Sequence, residues 1–450
     1  MTDLLGIGAS AVNAYGSALG VIGENVANAQ TEGYARRDVS IQSNGPITGS
    51  GLYTNTFSFG GSQASGVTRA WDQFKANDAL AATADDGRAS ATSTWLNSAS
   101  NAIDDSDTGI GAQVTAVFTA ASTFAADPSS PTARSQMLNA IGTAASSISG
   151  AAAQLAKTSS GIANAATGDV GQVNDDLSQL AKLNTVIART ADNSDAKATL
   201  ADQRDKLLGD LSGKIGIDAK VATDGTVAVS LTGSTGVSLL SGSTAALVAM
   251  NQSSDGRLSF TAGLGSNVQS IAPTGGSLAG FAGAANTVTG LRSGLDTIAS
   301  NFANQINNWN AQGVTPAGTA GTALLATTGG AAGLALTATS PDAIAAAGSD
   351  GSANGNLLSL SDQRGPGGVE AQVASLVSTG AQALASAKSQ ASAAATRKSA
   401  ALTAQADVNG ISLDQEAADL VRYQQAYQGS AKIIQAAQTT MNAILSLFGG

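Results

Sequence analysis

Apolar residues return at every seventh position at both ends of this chain. Near the start, Leu5, Val12, Leu19 and Val26 form one series, with Gly8, Tyr15, Ile22 and Ala29 three positions behind. Near the end, Leu413, Leu420, Tyr427, Ile434, Met441 and Phe448 repeat at the same interval, with Ala417, Ala431 and Leu445 between them. A seven-residue apolar repeat marks helices that pack along a coiled-coil-like seam. The first series predicts a helix from Asp3 to about Ala29, roughly 40 Å long at about 1.5 Å per residue. The second predicts one from Ser412 to Phe448, roughly 55 Å long by the same rise, and Ser412 with Gln415 gives it a capping-box start after the Asn409-Gly410 break. The N-terminal helix is weak alone, because Gly6, Gly8, Gly16, Gly20 and Gly23 each cost about 1 kcal/mol relative to alanine. Something outside it must hold it.

Between the ends the pattern changes period. "DVSIQS" and "GLYTNTFSF" alternate polar and apolar residues as strands do. Helical patterns follow over Val67 to about Ile103, Gly111–Ala126, Thr132 to about Ala163, Asp169–Thr190 and Ala196–Leu211. At Gly213 the composition turns β-rich, and Asp224-Gly225 and Asp255-Gly256 sit between strand-like runs as hairpin turns prefer. Helix returns from Leu278 to about Ala311 and from Val369 to about Ala406, separated by a low-complexity stretch rich in Gly, Ala and Thr that reads as a loop without one conformation. The expected fold is therefore mainly α, multi-domain and elongated. Residues 1–34 with 403–450 form an inner terminal-helix domain, 35–214 with 277–402 a helix-rich middle domain with a flexible excursion at 313–345, and 215–276 a small β-rich outer domain.

Composition narrows the chemistry. The chain of 450 residues has no His and no Cys, so Ser-His-Asp and Cys-His nucleophiles, thiolate metal cages and disulfides are all excluded. A net charge of -10 argues against nucleic acid and anionic membranes as partners. No cleavable signal is expected at the N-terminus, and no stretch reads as membrane-spanning. The acidic run Asp104–Gly109 fails the calcium-loop spacing, with Ala116 where a closing Glu is needed, and reads as a solvated turn. Gly318–Gly333 lacks a following Gly-Lys-Ser/Thr and reads as a loop rather than a phosphate cradle. "LADQRDKLLGDLSGKIG" mixes charges of both signs around Leu200, Leu207, Leu208 and Leu211. It reads as a solvated amphipathic helix docked on the core, and no two carboxylates converge on a pocket for glycoside chemistry. No catalytic residue, metal ligand or cofactor site is expected.

The terminal stripes admit two arrangements. They pack on each other within one chain, or they find helices of neighbouring copies. A single antiparallel pair covers one face of each helix, yet the other faces are also almost free of charge, with only Asp3 and Glu24 on the first. Neighbouring copies are the better explanation, with ordering of the glycine-weakened helix on assembly.

"ENVANAQTEGYARRDVSIQS" resembles the N-terminal signature of the axial proteins of the bacterial flagellum, the rod, hook and hook-associated subunits. Its Gly-Tyr-x-Arg form, Gly33-Tyr34-Ala35-Arg36, is nearer the hook-associated protein 1 family than the hook or rod subunits. "GISLDQEAADLVRYQQAYQGSAKIIQAAQ" resembles the C-terminal signature of that family, and "GVTRAWDQF" and "LADQRDKLLGDLSGKIG" with "DGTVAVSL" its middle. The inserted region is small for the family. The resemblance implies a structural subunit, not an enzyme, that forms the junction between hook and filament. It implies an extracellular place in the flagellum, reached through the flagellar export channel without a cleavable signal. The implied partners are copies of itself, hook protein, the next hook-associated protein, and an export chaperone and export apparatus, with no nucleic acid and no membrane insertion.

Within that resemblance the motif Gly23–Ser40 acquires roles. Gly33 ends the helix in a left-handed conformation, Tyr34 packs with its hydroxyl at a polar edge, and Arg36 and Arg37 reach carboxylates or carbonyls. Asn25 and Asn28 hydrogen-bond at the junction between the helical tube and the outer parts. The expected assembly interface is thus this motif together with the stripe positions of both ends. The rivals are another axial protein of hook or filament type, and a flagellum-associated glycan hydrolase.

Overall fold

In a computed structural model the described residues are 2–31, 33–43, 47–48, 57–58, 60–104, 106–233 and 236–448. The chain opens with helix α1 (Thr2–Ala27), then strands β1 (Arg37–Ser43), β2 (Ile47–Thr48), β3 (Phe57–Ser58) and β4 (Ser62–Arg69). Helices α2 (Gln73–Ala102), α3 (Ile110–Ala126), α4 (Pro131–Ile187) and α5 (Asp195–Lys214) follow. The β-rich section holds β5 (Ile217–Val221), β6 (Val227–Leu231), β7 (Ser238–Ser241), β8 (Thr244–Ala245), β9 (Leu247–Gln252), β10 (Leu258–Leu264) and β11 (Asn267–Ile271). The chain closes with α6 (Gly276–Gln312), β12 (Leu325–Thr327), β13 (Leu334–Leu336), α7 (Gly355–Ser361), α8 (Val369–Asn409) and α9 (Leu413–Phe448). The fold is mainly α, with small antiparallel sheets.

Two helical boundaries differ from the sequence pattern. Val67–Arg69 belongs to β4, because Val67 and Thr68 pair with Val39 and Asp38 of β1. Helix α2 starts only at Gln73, where Asp72 accepts from the Lys75 N–H at 3.0 Å. The two helices expected over Thr132–Ala163 and Asp169–Thr190 are one helix of 57 residues, capped by Ser130 with Pro131 in the first turn. Its buried stripe runs through Ile162, Ala166, Val170, Val173 and Leu177 without interruption. Tertiary burial outweighs the helix-breaking tendency of Gly168. Of the strand-like run 51–59, Phe57–Ser58 forms β3, and 51–56 and 59 lie outside the described residues.

The low-complexity stretch 313–345 is the larger correction. It wraps over α4 and α6 as β12, β13 and short turns, with Leu324, Leu325, Ala331, Leu334, Ile344 and Ala345 buried. Two buried or half-buried asparagines of α6 hold it: Asn307 accepts from the Leu324 and Leu325 N–H groups and donates to the Leu325 carbonyl, and Asn310 donates to the Thr322 and Ala343 carbonyls. Polar side chains projecting from a helix into a loop supply the partners that loop backbone lacks, and composition alone does not reveal them.

A continuous core joins α2, α3, α4 and α6, with Trp309, Phe124, Phe302 and Met137 among its largest buried side chains. The β5-β6-β7-β8 and β11-β10-β9 sheets lean on the same α4. Asn184 clamps Val227 through both N–H and carbonyl, and Asn174 does the same for Val248. Both expected Asp-Gly hairpin turns form, with Gly225 and Gly256 at positive φ. Helix α8 runs back along α2, tied by Arg397 to Asp85 at 2.6 Å and Lys398 to Asp86 at 2.9 Å.

At the free end, α1 and α9 lie antiparallel, Gly8 beside Ile434, Gly16 beside Tyr427 and Asn25 beside Glu416. Gly8 is required there: an added Cβ would stand 2.6 Å from Ile434 Cγ1. Leu4–Ala27 is long and apolar enough to cross a membrane by length and composition, which differs from the sequence reading. In this fold it packs against α9, β1 and β4.

Candidate assembly interface

The polar stretch that follows α1 builds an elbow between the paired terminal helices and the body. Asn25, 1% exposed, uses its whole amide. Its Nδ2 donates to the Arg37 carbonyl at 2.8 Å and to Glu416 Oε2 at 3.1 Å, and its Oδ1 accepts from the Arg37 N–H at 3.0 Å and the Tyr34 hydroxyl at 3.1 Å. One side chain of α1 thereby fixes α9, β1 and the loop between. An amide suits the task, having two donors and an acceptor that takes two bonds.

Arg37 carries the connection onward. Its guanidinium lies 4.6 Å from the centre of the Tyr34 ring, pairs with Asp195, and donates to Asp202 at 2.9 Å and Thr199 at 3.1 Å. Asp202 turns its other oxygen to Arg69 Nε at 2.7 Å, Arg69 pairs with Asp205 at 2.7 Å, and Asp205 accepts from Arg204, which donates to the Gly225 carbonyl at 2.6 Å. Glu416, Asn25, Arg37, Asp202, Arg69, Asp205 and Arg204 thus form one polar chain from α9 through β1, β4 and α5 to the β5–β6 turn. Burial pulls the Arg37 guanidinium down, but its hydrogen bond to Asp202 and the surrounding negative groups leave it above its ordinary value. Burial pushes the Tyr34 phenol up to about 12, reinforced by Glu24, Asp202 and Asp195 and opposed by Arg37.

Some expected roles shift. Gly33 has φ +82°, but α1 already ends at Ala27, so Gly33 serves the turn before β1 rather than the helix end. Asn28 stays local: it donates to the Glu24 carbonyl at 2.9 Å and accepts from the Thr31 hydroxyl, closing the last turn of α1. Arg36 splits its role, its side chain pairing with Asp38 at 2.9 Å while its N–H donates to the Asn409 carbonyl at 2.8 Å. The two arginines, Asn25 and Tyr34 are therefore at one elbow, although of Arg36 and Arg37 only Arg37 enters the buried chain.

The stripes divide differently. The side of α1 buried against the chain's own elements is made of Gly8, Ala11, Ala14, Ala18, Val21, Ile22 and Asn25, mostly small residues. From α9 it meets Ser430 and Ile434 at Gly8 and Glu416 at Asn25, and Tyr15 lies 6.2 Å from Tyr423 between ring centres. The larger seven-residue series stands at the margin or outside. Leu5, Val26, Leu413, Leu420, Tyr427 and Met441 are exposed, and Val12, Leu19 and Ile434 are half-buried. Phe448 ends α9, its side chain lying outside the described residues. Leu4, Val421, Ile433 and Leu445 add to the open apolar surface.

Asp195, Asp202, Asp205, Arg69, Arg204 and Glu416 were not singled out as elbow residues by the sequence pattern. A signal existed: in a chain with only 12% charged residues, Asp202, Arg204, Asp205 and Lys206 stand within five positions. The helix expected to dock on the core does so through Asp202, Arg204 and Asp205 as well, with Arg204 buried. Asp195, Asp202 and Asp205 each engage an arginine. Among the described residues no group of three or more acidic side chains is arranged to hold a metal ion. Asp104 accepts from the Ser106 N–H as in an ordinary turn.

Known proteins carry the same parts. Residues 408–447 match the C-terminal region of the flagellar basal body rod FlgEFG proteins. Residues 96–325, more than half of the chain, match the helical domain of the flagellar hook-associated protein FlgK. Flagellar hook-associated protein 1 of Escherichia coli K12 is 27% identical over 257 residues, which are 56% of this chain and 46% of that protein. The same protein of Salmonella typhimurium LT2 is 26% identical over 257 residues, 45% of its length. The solved structure of the flagellar hook junction protein FlgK from Burkholderia pseudomallei aligns with TM-score 0.50 and 27% identity, covering 56% of this chain and 47% of that one. The matched region spans about half the length of these relatives.

The match over α9 to the rod proteins and the match over the helical body to a hook-associated protein make this chain an axial protein of the bacterial flagellum. Within that class, the chain belongs to the flagellar hook-associated protein FlgK family.

Proposed function

We propose that this chain is a structural subunit at the junction between hook and filament, assembled through its terminal helices. The observation that carries this reading is the division of the stripes. Small residues of α1 admit Ile434 and, with Tyr15 against Tyr423, close the α1–α9 pair, while Leu5, Val26, Leu413, Leu420 and Met441 stay open on its outside. Burying each such side chain contributes about 1.5–3 kcal/mol, and the cover comes from copies of the chain and from adjoining axial proteins. Residues 1–34 with 403–450 act as the assembly domain, 35–214 with 277–402 as the helical body and 215–276 as the outer β-rich part. Hook protein lies on one side and the next hook-associated protein on the other. The subunit travels through the flagellar export channel to an extracellular position, with a chaperone shielding the open stripe of α9 beforehand. It has no enzymatic role in this reading.

Cells lacking the subunit provide the test. They should form hooks without filaments and secrete filament protein. The intact chain should restore filaments, and a chain with Leu420→Lys and Met441→Lys should not. Finding the subunit in many copies along a long tube would favour a hook- or filament-type protein instead. Full restoration by the doubly charged variant would contradict assembly through the stripe.

A further inference from the structure

The β11-β10-β9 sheet has one closed edge and one open edge. Along β9, the Asn174 amide of α4 occupies both the N–H and the carbonyl of Val248. Along β11, Asn267–Ile271, no further strand pairs among the described residues, and its first four residues are exposed. An unpaired edge is a template for another strand, and proteins ordinarily guard it with charge, proline or a bulge. This edge has none of these: Leu258–Gly275 contains no charged residue, its one proline follows β11, and the β10–β11 register is regular. The outer face beside it is equally unguarded. Leu247, Gly263 and Val268 form one row across the three strands, with Leu247 68% and Val268 64% exposed around the glycine.

We propose that the β11 edge and this row are a lateral contact with a second copy of the chain. The inference rests on the assembly reading above and deepens it by adding a contact remote from the terminal helices. Charge selects the partner. Each copy carries a net -10, so most approaches between copies meet like charge, whereas 225–291 contains only Asp255 and Arg257, paired with each other at 3.1 Å. Size sets the condition for contact. A five-residue strand is about 17 Å long and the three-strand face roughly 15 Å across, well below the about 800 Å² per partner of a free-standing complex. Such a contact forms only when the terminal helices already hold two copies side by side, where the effective concentration is high. The same limit keeps the free chain from associating through an unguarded edge.

Photo-crosslinking in flagellated cells tests it on the full chain. Benzoylphenylalanine replaces Val268 in one strain and Leu420 in another, and adducts are identified by mass spectrometry after illumination. The expected result is a self-adduct from position 268 in assembled flagella and none from the dilute, purified chain. Ser270→Lys, which charges the exposed edge, should lower that yield about fivefold, as like charges facing across strands cost up to about 1 kcal/mol. Self-adducts from position 420 without any from 268 would overturn the lateral contact and leave the assembly reading standing. Adducts from 268 to another protein alone would also overturn it. No adduct to any axial protein from either position would overturn both.

Discussion

Arg37 and Arg69 face each other directly across the β1–β4 ribbon, and one carboxylate, Asp202, joins them at 2.9 and 2.7 Å. Two like charges in register on a two-stranded ribbon repel. Here α5 inserts its acidic side chain between them, so the repulsion becomes the means by which the ribbon is fixed to the body. The terminal helices reach the body through this ribbon and through the α8–α9 connection.

Asp202→Asn keeps the shape and removes the charge. With Arg37 5% and Arg69 10% exposed, each keeps a second carboxylate, Asp195 and Asp205, and the loss of the shared charged bridge should cost about 2 kcal/mol of local stability. Hydrogen exchange of β1 and β4 amides measures it, and unchanged protection there would refute the bridging role.

Asn25→Ala should loosen α1 and α9 from the ribbon together, because four hydrogen bonds end on one amide. Asn25→Asp should be at least as damaging at neutral pH. It replaces the donor 3.1 Å from Glu416 with a carboxylate, and acidification should partly relieve the repulsion. Melting of the stalk followed by proteolysis at the α8–α9 break would report both variants.

The glycines of α1 separate into two kinds. Gly8→Ala should push α9 away from α1, since the new methyl meets Ile434. Gly20→Ala and Gly23→Ala have nothing within 4 Å to strike, so each should stabilise the helix of the free chain by about 1 kcal/mol. Circular dichroism during thermal melting distinguishes the two signs.

Tyr34 gives the elbow an alkaline limit. Burial raises its pKa from 10.0 to about 12, so the folded elbow favours the neutral phenol. That contribution to stability is complete below pH 10 and is lost as pH rises from 10 to about 12. An ultraviolet titration should show one late-ionising tyrosine that disappears in Tyr34→Phe.

The sequence pattern carried the elements whose physics is local. The seven-residue series, the Asp-Gly hairpins and the Asn409-Gly410 break all act over a few residues, and all reappear in the fold. Less legible were arrangements decided by partners far along the chain. Asn307 and Asn310 order 313–345 from another element, and Asp202 changes the meaning of Arg37 and Arg69 from more than a hundred residues away. Periodicity also could not say which side of each terminal helix faces the other. The repeat names two adjacent sides, and the choice falls to Gly8, whose missing side chain admits Ile434.

The central claim is that the stalk keeps its large apolar stripe for other subunits. Hydrogen exchange of α1 and α9, compared between the free chain and assembled flagella, measures it most directly. The account predicts ready exchange along both helices in the free chain and strong added protection after assembly, while α4 stays equally protected in both. Terminal helices already as protected as α4 in the free chain, with no change on assembly, would contradict it.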